Sequence, residues 1–118
     1  SMTQQGKNAD IFKHFQSTEI VGHWHSDMPG ILPTSKILAY SNVCPRQIVE
    51  YSNLVYGFQC HLEFTKESIA ELIKHAYEPE QAKTQPWVQT SAELLTMNTK
   101  HMNVLLFQFL DGLILKLR

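Results

Sequence analysis

The hydrophobic pattern of this 118-residue chain changes once, after Phe64. Before that residue, short runs of β-forming side chains alternate with turn signals; after it, apolar residues recur at steps of three and four. This change indicates the α/β class, in which helices from the second half cover a sheet from the first. Strands are predicted over residues 20–25, 36–41, 47–51 and 54–60, and the last two form an antiparallel hairpin through Ser52 and Asn53.

Three helices are predicted in the second half of the chain. Thr65 is a good N-cap for a helix over residues 66–77, and Ser91 can cap a shorter helix that runs through residue 97. Residues 80–89 are polar, contain Pro86 and are expected to form a loop. The last helix has one wide apolar face that predicts core packing: Met102, Leu105, Leu106, Phe109, Leu110, Leu113 and Leu117.

Composition excludes several classes of protein. Ten Lys and Arg residues against 11 Asp and Glu residues give a formal net charge of -1, so we expect no nucleic-acid partner. No apolar run approaches the roughly 20 residues of a membrane span, and no leader-like segment opens the chain, so we expect no membrane partner. Two cysteines are too few for a disulfide scaffold and fit a reducing, cytoplasmic location. Ser1 and Met2 are interpreted as a cleavage scar and a start residue, which leaves one domain over residues 3–118.

A histidine and a glutamate two residues apart form the first candidate site. Residues two apart on a strand share a face, so Glu63 can lie beside His61, fix its tautomer and stabilise its cationic form. These are the roles of the base and its orienting partner in a nucleophilic triad. A chain with six histidines often contains this spacing by chance, so the isolated motif favours a structural or surface histidine.

A second candidate lies further upstream. In an extended chain His23, His25 and Asp27 share a face, which is the geometry of a metal-ligand cluster. The segment superficially resembles the His-x-His-x-Asp-His motif of metallo-β-lactamase-like hydrolases, but Met28 stands where the last histidine belongs. A metal-dependent hydrolase therefore remains an alternative, and the sequence favours no bound metal and no other cofactor.

Neither cysteine is a convincing nucleophile. Cys44 precedes Pro45 in a turn, and Cys60 precedes His61 within a predicted strand. Because neighbours on a strand point to opposite faces, His61 is poorly placed to act as the base for Cys60. A buried, inert thiol is the better interpretation of Cys60. The chain thus offers a base and its orienting partner without a nucleophile.

Several motifs in order carry a resemblance to a known family. Segment 55–64 reads Val-Tyr-Gly-Phe-Gln-Cys-His-Leu-Glu-Phe and resembles the Gly-x-Gln-Phe-His-Pro-Glu signature of class I glutamine amidotransferases. Segment 23–27, then Leu32-Pro33, Ala39 with Ser41, and segment 44–47 resemble the Trp-His-x-Asp, Leu-Pro, Leu-Ala-x-Ser and Cys-Pro-x-Gln run of its GMP-synthase-like branch. Segments 87–89, 102–106 and 109–111 are similar to the closing helices of that branch. Cys60 and Leu62 depart from the Phe and Pro of the signature.

The resemblance implies a partial fold. The family's nucleophile lies in a Gly-x-Cys-x-Gly motif that precedes the segments found here, and no such motif occurs in this chain. The chain is therefore identified as the C-terminal half of a class I glutamine amidotransferase domain. Its expected architecture is a partial flavodoxin-like α/β fold, a mixed sheet flanked by helices.

The same resemblance implies a reaction and a set of roles. A glutaminase of this family hydrolyses glutamine to glutamate and ammonia through a Cys-His-Glu triad, in which His61 would be the base and acid and Glu63 its orienting partner. Segment Trp24, His25, Ser26 and Asp27 would hold the amino-acid end of the substrate. The chain alone would be inactive. Its expected partners are the missing N-terminal half or a swapped copy of itself, and a synthase that receives the ammonia. The alternative is a non-catalytic binding or regulatory remnant of the fold.

Overall fold

The sheet forms because three successive β-rich segments are joined by short connections. The computed structural model describes residues 1–118. Its elements follow one another in this order: α1 Gln4–Asn8, a 3-10 turn Asp10–Phe12, β1 Lys36–Ala39, β2 Ile48–Ser52, β3 Val55–Phe58, α2 Lys66–Ala76, α3 Pro79–Thr84, α4 Ser91–Leu95 and α5 Thr99–Lys116.

The sheet has the order β1-β2-β3, and both of its pairings are antiparallel. Ile37 pairs with Val49, and Val49 pairs with Gly57. The predicted hairpin is confirmed, but its turn lies at Asn53 and Leu54, because Ser52 still pairs with Val55. The prediction of a mixed sheet is wrong for these strands, because short connections return the chain alongside itself, whereas a parallel pair needs a long crossover.

The strand predicted over residues 20–25 does not form. This segment makes one isolated antiparallel bridge, between Gly22 and His61. Its possible partner is too short, because β3 ends at Phe58 and the chain bends at residues 59–60. Despite the high β propensity of residues 20–25, only Gly22 therefore pairs with another segment.

The helices begin where capping side chains are available. Thr65 Oγ1 accepts a hydrogen bond from the Ser68 N–H, and Ser68 Oγ accepts one from the Thr65 N–H, so the predicted N-cap of α2 is confirmed. Helix α4 is capped by Thr90, one residue before the predicted Ser91. Helix α3 was wrongly predicted as a loop. Pro79 occupies its first turn, where the missing proline N–H costs nothing.

Two apolar clusters lie on either side of the loop that follows β3. The first joins the sheet to α5, where the Phe109 ring stacks on Phe12 and meets Phe58 edge-on. The second lies among α2, α4 and α5 and contains six buried side chains: Leu62, Phe64, Ile69, Leu94, Met97 and Met102. Residues 60–64 thus cross from one cluster to the other, since Cys60 belongs to the first and Leu62 to the second.

Helix α5 is confirmed, but its apolar face is divided. Met102, Leu105 and Phe109 are buried as predicted. Leu110 and Leu117 are exposed instead, because both clusters lie on one side of the helix. Leu110 and four other exposed apolar residues make up what we call the outer face of α5: Val104, Phe107, Leu110, Ile114 and Leu115. No helix in the structure has the length and hydrophobicity needed to cross a bilayer.

Met102 provides a direct test of this packing. Its side chain is fully buried, whereas Val104 on the same helix is 51% exposed. We expect Met102→Ala to lower the free energy of unfolding by about 2–5 kcal/mol, since it leaves a cavity in the second cluster. Val104→Ala should change it by less than about 0.5 kcal/mol. Urea unfolding measures both, and equal effects would contradict the assignment of α5's buried side.

Candidate functional site

The candidate site lies on residues 60–64, which the Gly22–His61 bridge fixes to the rest of the chain. The Gly22 N–H donates to the His61 carbonyl at 3.0 Å, and the His61 N–H donates to the Gly22 carbonyl at 2.7 Å. The Gly22 N–H also contacts the buried Met102 Sδ at 3.1 Å. The backbone of His61 is therefore held by two hydrogen bonds above the second cluster.

His61 and Glu63 form an ion-pair contact at this position. Nδ1 of His61 lies 2.7 Å from Oε1 of Glu63. The His61 ring also stacks on the Phe64 ring, with centroids 4.6 Å apart and an interplanar angle of 10°. With one face covered by Phe64 and Nδ1 directed at Glu63, Nε2 is the imidazole nitrogen left for other chemistry. The His61 side chain is 31% exposed, so Nε2 is accessible to a reacting group.

The electrostatics of Glu63 follow from this contact. Partial desolvation acts to raise the pKa of Glu63, but hydrogen bonds from His61 and from the Glu63 and Leu62 backbone, together with the His61 charge, outweigh it. The result is a pKa below the ordinary value of 4.5. Glu63 is therefore ionised at neutral pH and available to orient the imidazole.

The predicted substrate segment lies alongside this pair. The bridge at Gly22 lies two residues before it, and Gln59 Nε2 donates to Oδ1 of its last residue, Asp27, at 3.2 Å. Trp24 is half-buried and packs toward Tyr77, with ring centroids 6.5 Å apart. Ser26 and Asp27 are exposed, and Nδ1 of the half-buried His25 contacts the Asp27 carbonyl oxygen at 3.0 Å. Their assignment to substrate binding stays a prediction.

The metal alternative finds no support in the geometry. It required His23, His25 and Asp27 to project from one face of a strand, and that strand is absent. The His25 ring is turned toward the Asp27 backbone, and the Asp27 carboxylate accepts from Gln59. No three His, Cys, Asp or Glu side chains converge as a metal-ligand group anywhere in the structure. Although His23 is an exposed residue, desolvation of its ring, with the nearby His25 and His61, lowers its pKa well below 6.5.

The cysteines lie apart from the candidate base. Cys44 and Cys60 are both free and buried. Burial raises the pKa of the Cys60 thiol to about 12, so it carries almost no thiolate at neutral pH. Cys60 packs in the first cluster, away from the His61 ring that stacks on Phe64. The interpretation of Cys60 as an inert thiol agrees with this environment.

Two contributors to the site were missed by the sequence analysis. Phe64 supports the His61 ring, and the Asn103 side chain on α5 donates to the carbonyls of Leu62 and Phe64. The signal for Asn103 was a polar residue inside an otherwise apolar helical run. Its partners lie about 40 positions away in sequence, where local periodicity carries no information.

No family model matches the chain. The chain is 45% identical over 116 residues to a protein of Salmonella typhimurium named as glutamine amidotransferase-like protein YfeJ. The match covers 98% of this chain and 48% of that protein. The crystal structure of SMU.1228c is similar with a TM-score of 0.93 and 43% identity, over 97% of this chain and 49% of that one. The chain thus spans about half the length of each relative, and it is similar to a glutamine amidotransferase-like protein over nearly all its own length.

The lowered pKa of Glu63 gives a pH-dependent prediction. A carboxylate with a depressed folded-state pKa stabilises the fold above its unfolded pKa, and this stabilisation is lost as the pH falls through the folded-state value. We expect Glu63→Gln to lower the free energy of unfolding near pH 6, by less than about 1 kcal/mol because Glu63 is 58% exposed. The difference from the unsubstituted chain should disappear below the folded-state pKa. Urea unfolding across this range measures it, and a pH-independent difference would contradict the ion-pair account.

Proposed function

We propose that this chain is the C-terminal half of a class I glutamine amidotransferase domain of the GMP-synthase-like branch, working as a glutaminase. The intact domain hydrolyses glutamine to glutamate and ammonia through a Cys-His-Glu triad. This chain supplies the histidine and the glutamate, and the nucleophilic cysteine lies in a segment that it does not contain. The observation that carries the proposal is the 2.7 Å contact between His61 Nδ1 and Glu63 Oε1, and the similarity to the Salmonella protein supports it.

The geometry of the pair fits general acid and base catalysis. A carboxylate on Nδ1 selects the tautomer that carries its proton there, so Nε2 is the free base. Nε2 takes the proton from the cysteine thiol, and the thiolate attacks the side-chain carbonyl of glutamine. The imidazolium then returns the proton to the departing nitrogen, which leaves as ammonia. Water, activated by the same Nε2, hydrolyses the thioester to glutamate.

The neighbouring segment fits a role in holding the substrate. Its backbone is fixed beside the pair by the Gly22–His61 bridge and by the Gln59–Asp27 contact. We assign Trp24, His25, Ser26 and Asp27 to the amino-acid end of glutamine, chiefly through backbone groups. This assignment needs no metal and no cofactor, and it agrees with the half-buried position of Trp24.

The outer face of α5 indicates that another polypeptide packs against it. A helix that is apolar on nearly all sides is normally buried, yet Val104, Phe107 and Ile114 are exposed here. Each relative has a half that this chain does not cover. We propose that the outer face of α5 packs against the equivalent half of the intact domain. Where that half is absent, a swapped copy of this chain takes its place. The ammonia would pass to a synthase partner, and the two free thiols fit a cytoplasmic location.

The experiment that tests the proposed activity uses a chimaera. The part of the Salmonella protein that this chain does not cover is joined ahead of this chain, and glutamate release from glutamine is measured. We expect turnover, and we expect His61→Ala to lower kcat by at least about 100-fold because it removes the acid and base. His75→Ala is the matched control, since His75 forms an exposed histidine–glutamate contact with Glu71 on α2.

Two results would count against the activity. A folded chimaera that hydrolyses no glutamine, but binds it, would favour the binding or regulatory remnant. Turnover that His61→Ala and His75→Ala reduce equally would remove His61 from the reaction.

The exposed face of α5 makes a separate prediction about association. Without a covering partner, we expect the 118-residue chain to dimerise or aggregate at high concentration, through the outer face of α5. Phe107→Lys should shift it toward monomer, because the side chain is 64% exposed at the centre of that face. Leu32→Lys is the control, at a loop residue that is 58% exposed. Light scattering checks this, and a monodisperse monomer of the unsubstituted chain would refute it.

A further inference from the structure

Helix α5 contacts the backbone on both sides of Glu63 through one side chain. Asn103 Nδ2 donates to the Leu62 carbonyl oxygen at 2.8 Å and to the Phe64 carbonyl oxygen at 3.0 Å. These two carbonyls belong to the residues immediately before and after Glu63. The contacts are part-buried and join positions about 40 residues apart in the chain.

The chemistry of the side chain matches this geometry. A primary amide carries two N–H donors on one nitrogen, and two carbonyl acceptors face it here. Residues 62–64 belong to no strand, so sheet hydrogen bonds do not satisfy their carbonyls. A part-buried carbonyl left without a donor costs free energy, so removal of the amide favours another backbone path for this segment.

The neighbouring residue on α5 strengthens the contact. Met102 is fully buried beneath the Gly22–His61 bridge, and its Sδ lies 3.1 Å from the Gly22 nitrogen. Consecutive residues of α5 therefore contact Gly22, the bridge partner of His61, and the carbonyls on both sides of Glu63. Together the two contacts fix the backbone on both sides of Glu63, and with it the direction in which the Glu63 side chain leaves the chain toward the imidazole.

We propose that Asn103 is a positioning residue, which holds the Glu63 carboxylate on His61 Nδ1 by fixing the two peptide carbonyls that flank Glu63. This inference rests on the proposed function for its catalytic meaning. The positioning itself is a property of the 118-residue chain and is measurable without turnover. Asn103 acts through Glu63 and His61 and touches no reacting atom.

The test reads the tautomer of His61 by ¹⁵N NMR at about pH 8, with every variant made in the Phe107→Lys chain, which we expect to be more monomeric. With Glu63 in place, we expect His61 to carry its proton on Nδ1. Asn103→Ala should shift the population toward the Nε2–H form, because the carboxylate no longer stays on Nδ1. Asn103→Ser keeps one hydroxyl donor and should give an intermediate population of the two tautomers. It replaces Asn103→Ala in the test if that variant does not fold.

The matched control is Asn98→Ala on the same helix. Asn98 caps α5 by accepting from the His101 N–H at 3.2 Å, so its loss weakens the helix without touching residues 62–64. We expect Asn98→Ala to keep the Nδ1–H form of His61. A folded Asn103→Ala or Asn103→Ser variant with the unchanged tautomer would overturn the proposal, as would an equal shift in Asn98→Ala.

A second readout separates this inference from the proposed function. In the active chimaera, Asn103→Ala should lower kcat by about 10-fold with little change in KM, since substrate contacts are retained. A chimaera without any turnover refutes the proposed activity, while the tautomer measurement still decides whether Asn103 positions Glu63. A changed KM with an unchanged kcat would overturn the positioning role.

Discussion

The pairing of Gly22 with His61 is the interaction on which the arrangement of the site depends. It is the one backbone pairing between the long segment before β1 and the loop that carries the histidine. A side chain at Gly22 has no room, because a Cβ there would overlap the Phe64 ring and lie 2.9 Å from the His61 carbonyl oxygen. Glycine therefore allows the close approach that brings the proposed substrate segment beside His61.

The two apolar clusters explain why the His61–Glu63 pair is held in place beside this bridge. Cys60 is buried in one cluster and Leu62 in the other, so the intervening His61 is fixed on both sides while its ring stays accessible. Phe64 covers one face of the ring, and α5 supports the backbone from below through Met102 and Asn103.

The sequence predicted the elements whose signals are local. The β2–β3 hairpin, the capped helix α2 and the long helix α5 all follow from short-range pattern. The spacing of His61 and Glu63 was also readable, although they lie beyond the end of β3. The missing strand over residues 20–25 and the division of α5's apolar face depend on which partners are available. Asn103 depends on a contact across about 40 residues, which no local pattern encodes.

We propose that this chain supplies two members of a triad whose third member lies in a preceding half. The most direct measurement is the nucleotide sequence of the source gene upstream of the codon for Thr3. We expect an open frame of roughly as many residues again, since each relative is about twice as long as its match to this chain. That frame should contain a Gly-x-Cys-x-Gly motif between a strand and a helix. An in-frame stop codon directly before Met2 would contradict the account.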